Sequence, residues 1–303
     1  MTQEKRPAVS ATKALVFGSV NRDRTYSMPQ IVRSGETITS TGLSSAWGGK
    51  GLNQAVALAA AGVPTALLAR TGAHDREVID FLSGRDVDVS HIAADPHEPT
   101  GHALVQLDQE GSNCIIIYPG ANRTHGEGQI EEALAGYMAG DLLIVQNETN
   151  LVAHAVDVAA NRGMRVAFNP SPMDGEALAV DLGAVDYLFV NEHEAAALTG
   201  APVSEEAVDR LARRWPRMQI MMTLGADGSI WRQGDQTCAV DAVRSEVVDT
   251  TGAGDTFTGF FLGSVLRGLP VERALETASR AASLAIGRKG AAEAIPGGEF
   301  VDL

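Results

Sequence analysis

The chain has 303 residues, 45% of them hydrophobic and 20% charged, with a formal net charge of −14. That composition belongs to a globular protein able to bury a sizeable core, in one large domain or two small ones. An acidic balance without a basic patch argues against nucleic-acid and membrane-surface partners, and no apolar run approaches the ~18 residues of a membrane span. Cys114 and Cys238 are too few for a disulfide framework, and no Cys/His cluster has metal-ligand spacing, so a reducing cytoplasm is the expected setting.

Residues 1–13 are polar, contain Pro7 and lack the apolar centre of a signal peptide, which reads as a flexible tail. The run Ala14-Leu15-Val16-Phe17-Gly18 reads as a buried strand, and Ser19, Asn21 and Asp23 follow its C-terminal end. Residues 24–47 are rich in Ser and Thr without helical period and read as irregular strands outside the main sheet. Gly48-Gly49-Lys50-Gly51-Leu52-Asn53-Gln54 then opens an alanine-rich helix over 55–61, stopped by Gly62 and Pro64. It is not a phosphate-binding P-loop, because the first glycine, the four-residue gap and the Ser/Thr after Lys are missing. Its glycines would let a ligand approach the backbone, and Lys50 and Asn53 offer donors.

A strand over 65–70, a helix over 76–83 and a hairpin pairing 103–107 with 114–118 through a turn containing Gly111 come next. Helix and strand then alternate. A helix over 129–138 leads to a strand at 142–145, followed by a helix at 151–162, strands at 166–168 and 187–190, helices at 192–198 and 204–214, and a strand at 219–224. Such alternation predicts an α/β domain, a mainly parallel sheet covered by helices on both faces. Glu148, Asn169 and Asn191 each follow a strand's C-terminal end, the side on which ligands bind in open parallel sheets.

The chemistry-bearing stretch is Asp249-Thr250-Thr251-Gly252-Ala253-Gly254-Asp255-Thr256-Phe257. Past Asp255 the apolar residues Phe257, Phe260, Phe261, Val265 and Leu266 have helical spacing, so Gly252, Ala253 and Gly254 stand at a helix N-terminus. Free amides and the positive dipole end there suit an anion. A carboxylate beside them, Asp255, suggests a base that takes a proton from a hydroxyl attacking phosphate. A plain helix cap and turn would give the same local pattern.

Gly-Ala-Gly-Asp-Thr-Phe after Asp-Thr-Thr resembles the C-terminal motif of the ribokinase-like (pfkB-type) carbohydrate kinases, and Gly48 to Ala55 resembles their N-terminal motif. Shorter pieces agree: Gly18-Ser19-Val20-Asn21, Gly120-Ala121-Asn122, Asn191-Glu192-His193-Glu194, Thr223-Leu224-Gly225 and Arg288-Lys289-Gly290. The resemblance runs from Leu15 to Pro296. It implies a three-layer α/β/α sandwich over 14–303, with a small β-sheet lid from about 24–47 and 100–118 that often forms a homodimer interface.

It further implies an ATP-dependent sugar kinase, acting on the 5-hydroxyl of D-ribose, with Asp255 as base and Gly252, Ala253 and Gly254 as the anion hole. Asn21, Asp23, Gly49, Lys50, Asn53 and Glu148 would hold the sugar. Asn191, Thr223, Leu224, Gly225, Ala226, Asp227, Gly228, Gly254 and Ser279 would hold ATP. Mg2+ would come with the nucleotide, organised indirectly by Glu194. A monovalent cation, K+, would take the Asp249 carboxylate and backbone carbonyls around Thr251, Ala285, Arg288, Gly290 and Ala294. Four departures stand out: Arg22 where a small residue is usual, Ala294 where Ser is common, Ser279-Arg280 beside the adenine, and Ser34 where Pro usually precedes Gly35-Glu36. Arg22 would place a charge at the sugar pocket's edge. The competing readings are a kinase for another pentose, a ketohexose or a nucleoside, and a non-catalytic sugar or nucleotide sensor. A dinucleotide-binding protein is disfavoured, since no Gly-x-Gly-x-x-Gly follows a strand.

Overall fold

The computed structural model describes residues 12–110 and 112–297, so the expected tail up to residue 11 and the turn glycine Gly111 lie outside the described residues. Lys13 is fixed in place: its ammonium donates to the Gly136 carbonyl at 2.7 Å and lies over the Tyr137 ring.

Strand β1 (Ala14–Phe17) opens the main sheet. β2 (Asn21–Ser27) and β3 (Gly42–Gly48) leave it, and α1 (Lys50–Ala60), β4 (Thr65–Gly72) and α2 (Glu77–Ser83) return to it. β5 (Val87–Asp88) and β6 (Ile92–Asp95) are short, and β7 (Gly101–Leu107) and β8 (Asn113–Tyr118) leave it again. Alternation follows through α3 (Glu127–Ala135), β9 (Leu142–Gln146), α4 (Val152–Asn161), β10 (Arg165–Asn169), α5 (Gly175–Leu178), β11 (Tyr187–Asn191), α6 (Glu192–Thr199), α7 (Glu205–Arg214) and β12 (Gln219–Thr223). The hairpin β13 (Ser229–Gln233) and β14 (Gln236–Val240) precedes α8 (Ala253–Leu266) and α9 (Val271–Ile286).

The main sheet runs β14-β13-β12-β11-β10-β9-β1-β4-β5, with β6 also on β4; its pairings are parallel except in the β12-β13-β14 edge. Its strands are apolar runs because both faces are covered. Alternate residues Ala14 and Val16 enter the core beneath α1, α8 and α9, while Leu15 and Phe17 enter the core beneath α3, α4 and α7. The chain runs from β1 outward to β4 and later crosses to β9 on the other side. The strand order therefore reverses at β1/β9, and a crevice opens beyond their carboxyl ends.

The second sheet, β3-β2-β7-β8, is the expected lid, but it begins earlier than residue 24. β2 starts at Asn21, so Asn21 and Asp23 sit on a lid strand rather than on the loop after β1. Helix α1 likewise starts at Lys50 and not at 55, which puts Lys50, Asn53 and Gln54 in its first turn. Among the described residues no helix is long and apolar enough to cross a membrane.

Candidate active site

Two helix N-termini meet at the crevice. Gly49 precedes α1 at φ 94° and Gly252 caps α8 at φ 74°, both in conformations that favour glycine. Close packing of the two helices sets their first turns face to face. There the buried Asp255 carboxylate accepts from Asn53 Nδ2 at 3.0 Å on one oxygen and from Gln54 Nε2 at 2.9 Å on the other. Asn53 thus reaches the base as well as the expected sugar pocket. Its Oδ1 is buried with no protein partner.

Of the three expected anion-hole amides, that of Ala253 reaches the Thr250 carbonyl at 3.3 Å. Gly252 and Gly254 line a cleft with Lys50, Asn191, Glu194 and Asp255, and first-turn amides have no acceptor inside their helix.

On the lid side, Glu148 ties β1 and α1 together: its Oε2 accepts from the Ser19 hydroxyl and, at 3.0 Å, from the Lys50 amide. Asn21 is oriented by a residue to which the sequence motifs assign no role. Buried Asn122 donates to Asn21 Oδ1 at 2.8 Å while accepting from the Val20 amide at 2.9 Å. Asp23 lies on the same face of β2 as Asn21, two residues on. Burial, with Glu148 and Glu293 as negative neighbours, pushes its carboxyl up to about 6. Glu293 also accepts from the Trp47 amide at 3.3 Å, joining the segment after α9 to the lid. Burial alone would lower the Lys50 ammonium, but Asp255, Glu148 and Glu194 outweigh it and hold the group above its ordinary value.

Arg22 does not edge this pocket. It projects from the opposite face of β2, stacks 4.4 Å over the Trp47 ring and pairs with Glu77 at 2.6 Å and Asp75 at 3.6 Å. The extra cation braces the lid against the α2 region, and its charge is already answered.

Beyond the α8 N-terminus lies a largely apolar cavity of about 200 Å³ walled by Thr223, Gly225, Gly228, Val243, Gly254, Phe257 and Ser279. Five of the nine expected nucleotide residues, Thr223, Gly225, Gly228, Gly254 and Ser279, are on its wall. Leu224, Ala226 and Asp227 are not, and Asn191 belongs to the adjoining cleft. Asn191 and Glu194 form a reciprocal capping box at α6, each side chain accepting the other's amide at 2.9 Å.

Among the described residues no cluster of three metal-ligating side chains exists. Glu194 shares the cleft with the Asp255 carboxylate, and a site with so few protein ligands fits an Mg2+ that arrives on nucleotide phosphates. Asp249 is tightly held. Burial would raise its carboxyl, but donors from the Thr251 hydroxyl and amide, and from the Gly290 amide at 3.0 Å, bring it below the usual range. The Gly290 contact clamps the segment after α9 onto 249–251. Ala285 and Ala294 are buried there; Ala294 brings no side-chain oxygen, and the Ala285 carbonyl also caps α9.

Comparison with known proteins agrees with this geometry. The model of the pfkB family carbohydrate kinases matches residues 11–297. Ribokinase of Haemophilus influenzae is 32% identical over 290 residues, covering 93% of this chain and 94% of that protein. Among solved structures, ribokinase from Cryptococcus neoformans var. grubii serotype A in complex with ADP superposes with a TM-score of 0.82 at 32% identity, covering 96% and 99% of the two chains. Arabidopsis thaliana ribokinase complexed with ribose and ATP gives 0.82 at 29% identity, covering 96% and 97%.

Proposed function

This ATP-dependent sugar kinase belongs to the pfkB family of carbohydrate kinases, and we propose that it phosphorylates the 5-hydroxyl of D-ribose. The observation that carries the proposal is the base: a buried carboxylate in the first turn of α8, oriented by two amide donors and bordering the cleft that leads to the apolar nucleotide cavity. Asp255 takes the proton as the sugar's O–H bond breaks. The oxygen bonds to the γ-phosphorus in line, and the bond to the bridging oxygen breaks with its electron pair leaving on ADP. The amides of Gly252 and Gly254 and the α8 dipole face the charge that builds on the phosphoryl oxygens. Asn21, Asp23, Asn53 and Glu148 supply acceptors for the other hydroxyls, and a sugar lacking one would leave a buried partner unpaired. Mg2+, held through the phosphates and Glu194, would neutralise phosphate charge. K+ at Asp249 would order the loop behind the anion hole. The free thiols Cys114 and Cys238 fit a cytoplasmic setting.

The test is ADP release by the purified protein with ATP and Mg2+ across a panel of sugars and nucleosides, with and without K+. Turnover on D-ribose, raised by K+, is the expected result. Preference for another acceptor would keep the chemistry and move the substrate; ribose binding without turnover would favour the sensor.

Asp23 gives this reading a pH signature. Sugar hydroxyls donate to an ionised carboxylate, so binding favours the charged form. KM for the sugar is expected to fall as pH rises through about 6 and to level off above it. Sugar binding on the acid side should release a proton, visible as a buffer-dependent heat in calorimetry. For the free protein the sign reverses. A raised carboxyl stabilises the fold below its unfolded value, and that contribution is lost as pH passes about 6. A flat KM from about pH 5 to 7.5 would remove Asp23 from the pocket.

We also assign homodimer formation to the lid. Its edge strand β8 is exposed along its length, with Ile117 60% and, on β3, Leu43 62% accessible. An unpaired apolar edge of this kind is an association surface. Replacing Ile115 and Ile117 together by Glu should convert the dimer to a monomer in sedimentation velocity. A wild-type monomer at micromolar concentration would end the assignment.

A further inference from the structure

We propose that Gln146 and Gln54 form a relay of two amides that fixes the orientation of the Asp255 carboxylate, making both of them positioning residues for the base. The inference rests on the kinase reading above. Gln146 is the last residue of β9, Gln54 lies in the first turn of α1 and Asp255 in the first turn of α8. Both glutamines are fully buried. Gln146 Nε2 donates to Gln54 Oε1 at 2.7 Å, and Gln54 Nε2 donates to Asp255 Oδ1 at 2.9 Å, with a long 3.5 Å approach to Asn169 Oδ1.

A primary amide can sit either way round, and only one way places its donor on the carboxylate; the other sets carbonyl oxygen against carboxylate oxygen. The donor from Gln146 removes that choice, because it needs the Gln54 oxygen facing the sheet. Gln54 and Asn53 then take one carboxylate oxygen each, so the group cannot rotate about Cβ–Cγ. Each oxygen keeps a lone pair for the acceptor hydroxyl.

Gln146 itself shows that this arrangement is not built for stability. Its Oε1 is buried without a partner, and a Cβ at Gly18 would lie only 2.1 Å from it. A methionine would fill the same space without an unsatisfied oxygen, so an amide here is explained by what it donates.

The test compares wild type with Gln54→Met, Gln146→Met and the double variant, by kcat and by KM for D-ribose and ATP at one fixed pH, with circular dichroism and melting to confirm folding. The charged groups facing Asp255 are Lys50 of α1 and Glu194 of α6, unchanged in every variant. Gln54→Met is expected to lower kcat by roughly 10–100-fold, the range of a hydrogen bond to a charged group, with KM for ATP and for ribose little changed. Gln146→Met should do the same to a smaller extent. The double variant should lose no more than Gln54→Met, because Gln146 acts only through Gln54. A merely structural pair would lower the melting temperature and leave kcat of the folded protein near the wild-type value, and that result overturns the relay. Additive losses overturn the series arrangement. If Gln54→Met does not fold, Gln146→Met decides alone, since it leaves both donors to Asp255 present. An active wild type with equally active variants defeats the relay alone, whereas a wild type inactive on every acceptor defeats the kinase reading and the relay together.

Discussion

Asp255→Asn is expected to lower kcat by about 10²–10⁴-fold, the usual contribution of a positioned base, while ribose still binds. The acceptors proposed for the sugar's other hydroxyls, Asn21, Asp23 and Glu148, are held by Asn122, the lid and Ser19, none of which depends on residue 255. Calorimetry should therefore find ribose affinity within roughly tenfold of wild type. The substitution is not isosteric in this setting. Both carboxylate oxygens accept from side-chain amides, so an asparagine must turn its own N–H group toward either Asn53 or Gln54. Gln54 is pinned by Gln146, and the conflict falls on Asn53. A modest drop in melting temperature should accompany the loss of turnover. Asp255→Ala, which removes the conflict with the carboxylate, should show an equal kinetic loss. Activity within tenfold of wild type in both variants would sink the base assignment.

Much of this arrangement can be read in the chain. Continuous apolar runs such as Leu142–Val145 mark strands buried on both faces, and the two glycine motifs mark the helix N-termini that build the site. Asn21 and Asp23, two apart, share a face in any strand. What could not be read is which face. Arg22 between them looks like a pocket residue in one dimension, yet the period-two pleat sends it to Trp47 and Glu77. Residues 146–148 read as one polar strand end, but the structure separates them. Gln146 turns to α1, Asn147 to the Pro172 carbonyl and Asp174, and Glu148 to Ser19 and Lys50. The hairpin β13–β14 and helix α9 were not assigned from sequence. Asn122, Gln54 and Glu293 were missed as site residues because their partners lie far along the chain. Asn122 and Gln54 sit inside motif pieces, and that was the available signal.

The second large effect concerns how the two first turns are brought together. Gly259→Ala is expected to destabilise the protein by about 1–3 kcal/mol and lower kcat by roughly tenfold or more. A Cβ at Gly259 would lie 2.4 Å from the Ala57 Cβ and 2.7 Å from both the Ala57 carbonyl carbon and the Leu58 nitrogen. One turn on, a Cβ at Gly263 would lie 2.4 Å from the Ala61 Cβ, so α8 rests on α1 nearly backbone to backbone. Helix α1 cannot retreat, because Gly51 already packs on β1's end, where an added Cβ would be 2.4 Å from the Gly18 carbonyl carbon. The strain must therefore move α8 outward, and Asp255 with it, stretching its bonds to Asn53 and Gln54. Helix propensity alone predicts the opposite sign, since Gly→Ala in a helix interior stabilises by about 0.5–1 kcal/mol. Overpacking against main-chain atoms outweighs that gain. Urea unfolding of wild type and variant reads the sign directly. A higher midpoint with unchanged turnover would mean that α8 and α1 are not held at this distance, and that the alignment of the base has another origin.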